Sequence, residues 1–151
     1  MLLSKLYEES MLRVIFDSVV FVRSLINPFS FWGQIIFEYS SKYQLFVSSQ
    51  ILIEVLEVLK RSEVVSRFNT LEGRDFEKIL KIISAAEVVE ISDIPQVSRD
   101  PKDDKFLATA KTAQTDYLVS ADRDLLDLKE YAGIKIIDAQ TFLEILKGKR
   151  K

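Results

Sequence analysis

Short, continuously apolar runs alternate along this chain with stretches whose apolar positions recur at helical spacing. Leu12–Phe16 is rich in β-branched and aromatic residues and reads as a buried strand that ends at Asp17. The Asn27-Pro28 pair marks a break. Residues 31–41 read as a helix and residues 44–47 as a second strand. Ser48 or Ser49 caps a helix over 50–61, and shorter helical spacing follows at 64–68. Residues 72–86 form a marked amphipathic helix, with Phe76, Ile79, Leu80, Ile82 and Ile83 on one side. A strand over 88–91 leads through Ile94-Pro95 into a loop containing Ser-Arg-Asp-Pro-Lys-Asp-Asp. Asp103 or Asp104 is placed to cap a helix over 105–112. A strand over 116–120, a helical turn over 125–128, a strand over 135–137 and a helix over Ala139–Leu146 complete the chain.

Strands alternate with helices, and the strands lack the polar alternation of a half-exposed sheet. That pattern predicts an α/β fold: a three-layer α/β/α sandwich around a short, mainly parallel central sheet. Ligands of such sheets bind beyond the carboxyl ends of the strands. The expected organisation is an N-terminal extension over 1–10, a single domain over 11–146 that opens at Met11, and a basic tail over 147–151.

Composition narrows the chemistry. The 151 residues include no cysteine and no histidine. Thiol catalysis, thiolate or imidazole metal sites and a histidine general base are therefore excluded. Carboxylates remain, and their oxygens suit hard cations such as Mg²⁺ or Mn²⁺. The net charge is −2, so any attraction for nucleic acid rests on local basic patches. No apolar run reaches the ~20 residues of a membrane span, and Glu8 and Glu9 fall where a signal peptide would be apolar. A cytoplasmic location is the resulting expectation.

Two acids stand at strand ends, Asp17 after Val-Ile-Phe and Asp122 after Tyr-Leu-Val-Ser-Ala. Each is either a loop or cap aspartate or a group placed where such sheets bind ligands. Glu54 lies at the margin of the apolar face of its helix, where a carboxylate needs a cation; Lys60 and Arg61 are the local choices. Asp100 reads as the start of a turn before Pro101. Asp103 and Asp104 stand at a helix start, where the dipole favours negative charge whatever the function. Carboxylates gathered from four separate places fit two-metal nuclease chemistry better than they fit four independent surface roles. Such a group repels itself without a cation and titrates as a coupled set.

Four blocks in order resemble the PIN-domain family, and within it the prokaryotic toxin-component branch of VapC-like ribonucleases. They are RVIFDSVVFVRSL, VSSQILIEVLEVLKR, RDPKDDKFLATAK and DYLVSADRDLLDL, spanning most of the chain from Met11 to about Leu146. The resemblance implies a metal-dependent ribonuclease using Mg²⁺ or Mn²⁺. It carries the family's acids onto Asp17, Glu54, Asp103 and Asp122 as catalytic residues, with Asp17, Asp103, Asp122 and Asp124 holding metal. Asp103 is preferred to Asp104 because it stands five residues before Ala108, as in the family's spacing. Ser18 and Ser120 occupy positions where the family has supporting hydroxyls. The chain departs from the family at Val19, where asparagine is usual; valine offers neither donor nor acceptor.

Phosphate needs positive charge, and Arg99, Lys102, Lys105 and Arg123 flank the acidic blocks, with Lys60, Arg61 and the tail as further sources. Each is otherwise a solvated surface charge. Phe29, Phe31 and Trp32 pack into a core or dimer, or form a stacking platform for a base or partner. Two functions fit the sequence: an endoribonuclease, the toxin of a toxin–antitoxin pair, with RNA as substrate and an antitoxin and a second copy of the chain as partners; or a catalytically impaired module that binds RNA or protein, because of Val19. A receiver-like signalling domain fits the strand-end aspartate but not the Asp122 block or the Glu54 helix.

Overall fold

The computed structural model describes residues 11–61 and 73–148. The expected extension over 1–10, the helical stretch at 64–68, the start of the helix at Glu72, the side chain of Phe76 and the end of the basic tail lie outside the described residues.

Among the described residues six strands form one sheet in the order β3-β2-β1-β4-β6-β5. They are β1 (Leu12–Phe16), β2 (Tyr43–Ser48), β3 (Glu87–Val89), β4 (Tyr117–Val119), β5 (Glu130–Tyr131) and β6 (Ile134–Ile137). All pairs are parallel except β5 with β6. Among the described residues the α-helices are α1 (Ser18–Ile26), α2 (Phe31–Phe37), α3 (Ser49–Leu59), α4 (Gly73–Ser84), α5 (Asp104–Ala113), α6 (Arg123–Leu126) and α7 (Ala139–Leu146). This is the expected α/β architecture with a mainly parallel sheet.

Several expectations are corrected. Residues 18–26, to which no element was assigned, form α1: their apolar run resembles a continuation of β1, but Asp17 ends the strand and its carboxylate accepts from Val20 N to cap the helix. The helix expected over 31–41 stops at Phe37, and a 3₁₀ turn over Ser40–Lys42 delivers the chain to β2. The two-residue strand β5 has no apolar run to mark it in the sequence. It exists because Ala132 and Gly133, at φ 53° and 84°, make a tight hairpin that folds residues 130–131 back onto β6. Neither Asp103 nor Asp104 caps α5. Asp103 makes no capping bond, and Asp104 Oδ1 accepts from the backbone of Val97 and Ser98, holding the preceding loop instead.

The core lies where the two helical layers meet the sheet. Phe16 packs edge-on to Tyr43 and Phe142 at centroid distances of 5.4 and 6.1 Å. Arg13 fixes the amino end of β1: its guanidinium donates to the carbonyls of Ala113 (2.6 Å) and Gln114 (3.3 Å) at the carboxyl end of α5. It also stacks over Phe46 at 4.3 Å. Among the described residues, no single helix is long and apolar enough to cross a membrane.

Candidate functional site

Strand order reverses between β1 and β4, because the chain runs outward from β1 to β2 and β3 and then returns to the other side of β1. A crevice forms at such a point, at the carboxyl ends of the strands. Asp17 and Ser120 face each other there. Asp17 N donates to Val119 O at 3.1 Å, and Ser120 N to Ile137 O at 3.0 Å, so the sheet ladder continues into the site.

The Asp17 carboxylate is 3% exposed. Its Oδ1 accepts from Val20 N (3.2 Å); its Oδ2 accepts from the Ser120 hydroxyl (2.5 Å) and Ala121 N (2.9 Å). Burial raises its pKa above the ordinary carboxylate value, and these donors pull it partly back. Ser120 Oγ in turn accepts from Asp122 N at 2.9 Å, and Asp122 Oδ1 caps α6 by accepting from Asp124 N at 2.8 Å. One serine thus ties together two of the acids singled out by the sequence. Ser18 is buried in the first turn of α1, and the Val19 side chain beside it is 37% exposed.

Asp103 enters between these groups from the 3₁₀ turn over Pro101–Asp103. It is 7% exposed, and its Oδ2 is buried without a hydrogen-bond partner. Burial raises its pKa to about 7, with Asp122 adding the next largest effect and the charges of Asp100 and Asp17 adding to it. An orphaned buried carboxylate oxygen among other carboxylates is a costly arrangement for an empty protein and a fitting one for a divalent cation. Ligand oxygens of Asp100, Asp103 and Asp124 lie within 4.8 Å of one another. From the sequence, Asp100 is expected only to start a turn. Its carboxylate does start that turn, accepting from Lys102 N at 3.0 Å. In a 3₁₀ turn residues three apart eclipse, so the Asp100-to-Asp103 spacing was the available clue.

Glu54 is brought to the site's β2 side by α3. Ser48 caps that helix by accepting from Ile51 N, and the Ser48 and Thr109 hydroxyls are 2.9 Å apart, fastening α3 to α5. The counter-ion of Glu54 is neither Lys60 nor Arg61 but Lys105, with Nζ 2.7 Å from Oε1. Arg99 spans Asp124 (3.0 Å) and Asp127 (2.6 Å). Lys102 and Arg123 are exposed. Trp32 packs against the core with the Arg23 guanidinium 5.0 Å over its ring, while Phe29 is 87% exposed.

A family model described as a PIN domain matches residues 13–124. No curated protein matches the chain. Among solved structures it resembles PAE2754 from Pyrobaculum aerophilum, at 18% identity and a TM-score of 0.57, covering 91% of this chain and 90% of that one. It also resembles DNA-bound VapBC from Salmonella typhimurium, at 17% identity and a TM-score of 0.54, covering 85% and 99%. VapBC2 from Rickettsia felis, bound to a DNA fragment from its promoter, aligns at 12% identity and a TM-score of 0.53, covering 84% and 98%.

Proposed function

Because the chain belongs to the PIN-domain family, we propose that its acidic crevice makes it a metal-dependent endoribonuclease, acting as the toxin of a toxin–antitoxin pair in the cytoplasm. The observation that carries this reading is Asp103, buried with an unpartnered oxygen among the carboxylates of Asp17, Asp100 and Asp122. Asp17, Asp103, Asp122 and Asp124 would hold Mg²⁺ or Mn²⁺. Such a cation activates water and offsets charge on the phosphate during hydrolysis. The protein's own part is preorganisation. Ser120 and Ala121 fix the Asp17 carboxylate, the α6 cap fixes Asp122, and the 3₁₀ turn fixes Asp103. Lys102 and Arg123, exposed beside the acids, would meet the RNA backbone, together with whatever part of Arg99 and Lys105 their ion pairs leave free. An antitoxin protein and a second copy of this chain are the partners the family resemblance implies.

The test is incubation of the purified protein with structured and unstructured RNAs in Mn²⁺ or Mg²⁺, beside Asp17→Asn and Asp122→Asn. Cleavage by the wild type alone supports the assignment; cleavage that survives both substitutions overturns it.

A second reading has its own observation. Val19 presents an exposed apolar side chain where the family usually has an amide. A relative that keeps the metal site but binds RNA or protein without cutting would show Mn²⁺-dependent thermal stabilisation and no cleavage.

A further inference from the structure

A pocket of about 240 Å³ opens beside the acidic crevice and shares a wall with it. Ser120 and Ala121 line the pocket, and both donate to Asp17 Oδ2, at 2.5 and 2.9 Å. Its other walls come from α1 (Arg23), the first turn of α2 (Phe31, Trp32) and the start of α7 (Asp138, Gln140). Arg23 is exposed, and among the described residues its guanidinium has no ion pair or hydrogen bond. It lies 5.0 Å over the Trp32 ring, so the indole backs the planar cation. Bases stack on guanidinium planes as they do on aromatic rings, and Phe31 adds an exposed ring in the same wall. The rim is polar. Asp138 Oδ1 caps α7 at 2.8 Å from Thr141 N, which leaves the other oxygen to accept, and the exposed Gln140 amide both donates and accepts.

Resting on the nuclease reading above, we propose that this pocket binds one unpaired nucleobase of the RNA, stacked on the Arg23–Trp32 pair, with Asp138 and Gln140 meeting its polar edge. Volume limits the occupant. Pockets that enclose drug-sized molecules run to roughly 300–1,000 Å³, so about 240 Å³ suits one ring system with its sugar and phosphate left outside. The pocket wall is one hydrogen bond from Asp17, so the phosphate joined to that base falls at the crevice. An apolar side chain of a protein partner would cover Arg23, Asp138 and Gln140 without pairing them, whereas a base edge supplies both donors and acceptors. A paired base does not qualify, because its edge is taken by the opposite strand. Arg23, Trp32 and Gln140 thus select which stretch of RNA is presented, and take no part in the chemistry itself.

The test measures binding of labelled RNA octamers by fluorescence anisotropy, in EDTA and at low salt. One octamer is single-stranded and carries its bases; the other is the same backbone with abasic sugars. The wild type is expected to bind the first about fivefold or more tighter, the size of one stacked base. Arg23→Ala and Arg23→Lys are expected to bring that ratio to within about twofold, the lysine variant keeping the charge but not the plane. Gln140→Ala is expected to lower it by about twofold or more. Thermal unfolding confirms that each variant is folded. Trp32 is the chain's only tryptophan, so its emission reports on the pocket. It is expected to change with the base-bearing single strand, and not with the abasic octamer or a duplex of the same sequence. Equal affinity for the two octamers, the outcome if the pocket takes a protein side chain instead, overturns the proposal. So do no binding of either octamer, a ratio that the folded variants leave unchanged, and Trp32 emission indifferent to the bases. RNA cleavage in Mn²⁺ is read separately. Cleavage with no base advantage sinks this inference and leaves the nuclease reading, whereas a base advantage without cleavage does the reverse.

Discussion

Ser120 donates a 2.5 Å hydrogen bond to Asp17 Oδ2 across 103 residues of sequence, and the same oxygen of Ser120 accepts from Asp122 N. Ser120→Ala removes both contacts while leaving Asp17 buried. It is expected to cost about 1–2 kcal/mol in urea unfolding and to push the Asp17 pKa further up, measurable by carboxyl NMR. Ser120→Thr keeps the hydroxyl and should retain most of both. Equal behaviour of the alanine and threonine variants would remove the positioning role.

The Asp103 carboxyl gives the metal-free protein a pH signature. Its folded pKa is about 7 against an ordinary value of 3.8. The folded state therefore holds its proton across a window in which the unfolded chain releases it. This group's contribution to stability falls as pH rises from about 3.8 to about 7 and stays low above that. Asp103→Asn should abolish the slope and stabilise the metal-free protein at pH 8 by about 1–2 kcal/mol. Denaturant titrations of both proteins in EDTA, differenced at each pH, read this directly. A difference that does not grow between pH 4 and 7 refutes it. Excess Mn²⁺ should reverse the sign at pH 8, because it rewards the charged form.

Much of this architecture was legible in the sequence because short buried strands leave an unmistakable apolar run. Leu12–Phe16 and Ala139–Leu146 have the bounds the pattern gave them. The misses share a cause. In α1 the residues are as apolar as those of the strand before it, so only the turn at Asp17, a capping geometry set by backbone angles, separates them. The β5 strand depends on positive φ at Ala132 and Gly133, and alanine gives no warning of that. At the site, the strand-end acids could be read off one by one. The pairing of Glu54 with Lys105 could not, since it depends on how α3 and α5 pack across 51 residues of chain.

Val19→Asn should raise RNA cleavage by roughly tenfold, the kinetic equivalent of about 1.4 kcal/mol, if an amide there contacts the crevice in the transition state. Val19→Ala serves as the control for simple loss of bulk. Matching rates for the wild type and the asparagine variant would show that this position does not limit the reaction.

At Gly33 the helix backbone comes close to Pro28. A Cβ built there would lie 2.1 Å from the Pro28 carbonyl oxygen and 2.6 Å from its Cα. The turn through Asn27 and Ser30 that caps α2 cannot yield without losing the Ser30–Gly33 bond. Gly33→Ala is expected to destabilise the protein by about 2–3 kcal/mol in thermal or urea unfolding. A loss below about 0.5 kcal/mol would mean that the turn relaxes freely.

The central place of β1 in the sheet has a consequence for biosynthesis. Among the described strands β1 is made first and pairs with β2 soon afterwards, but its other edge waits for β4, roughly a hundred residues later. Until Ser120 and Ala121 have been made, the Asp17 carboxylate lacks two of its anchors, and Asp122 and Asp124 do not exist. Chains released early by premature termination before Tyr117 thus carry an unpaired strand edge and no crevice. Whatever chemistry the crevice performs is withheld until Asp122 and Asp124 have been made, without any separate inhibitor being needed for the shorter fragments.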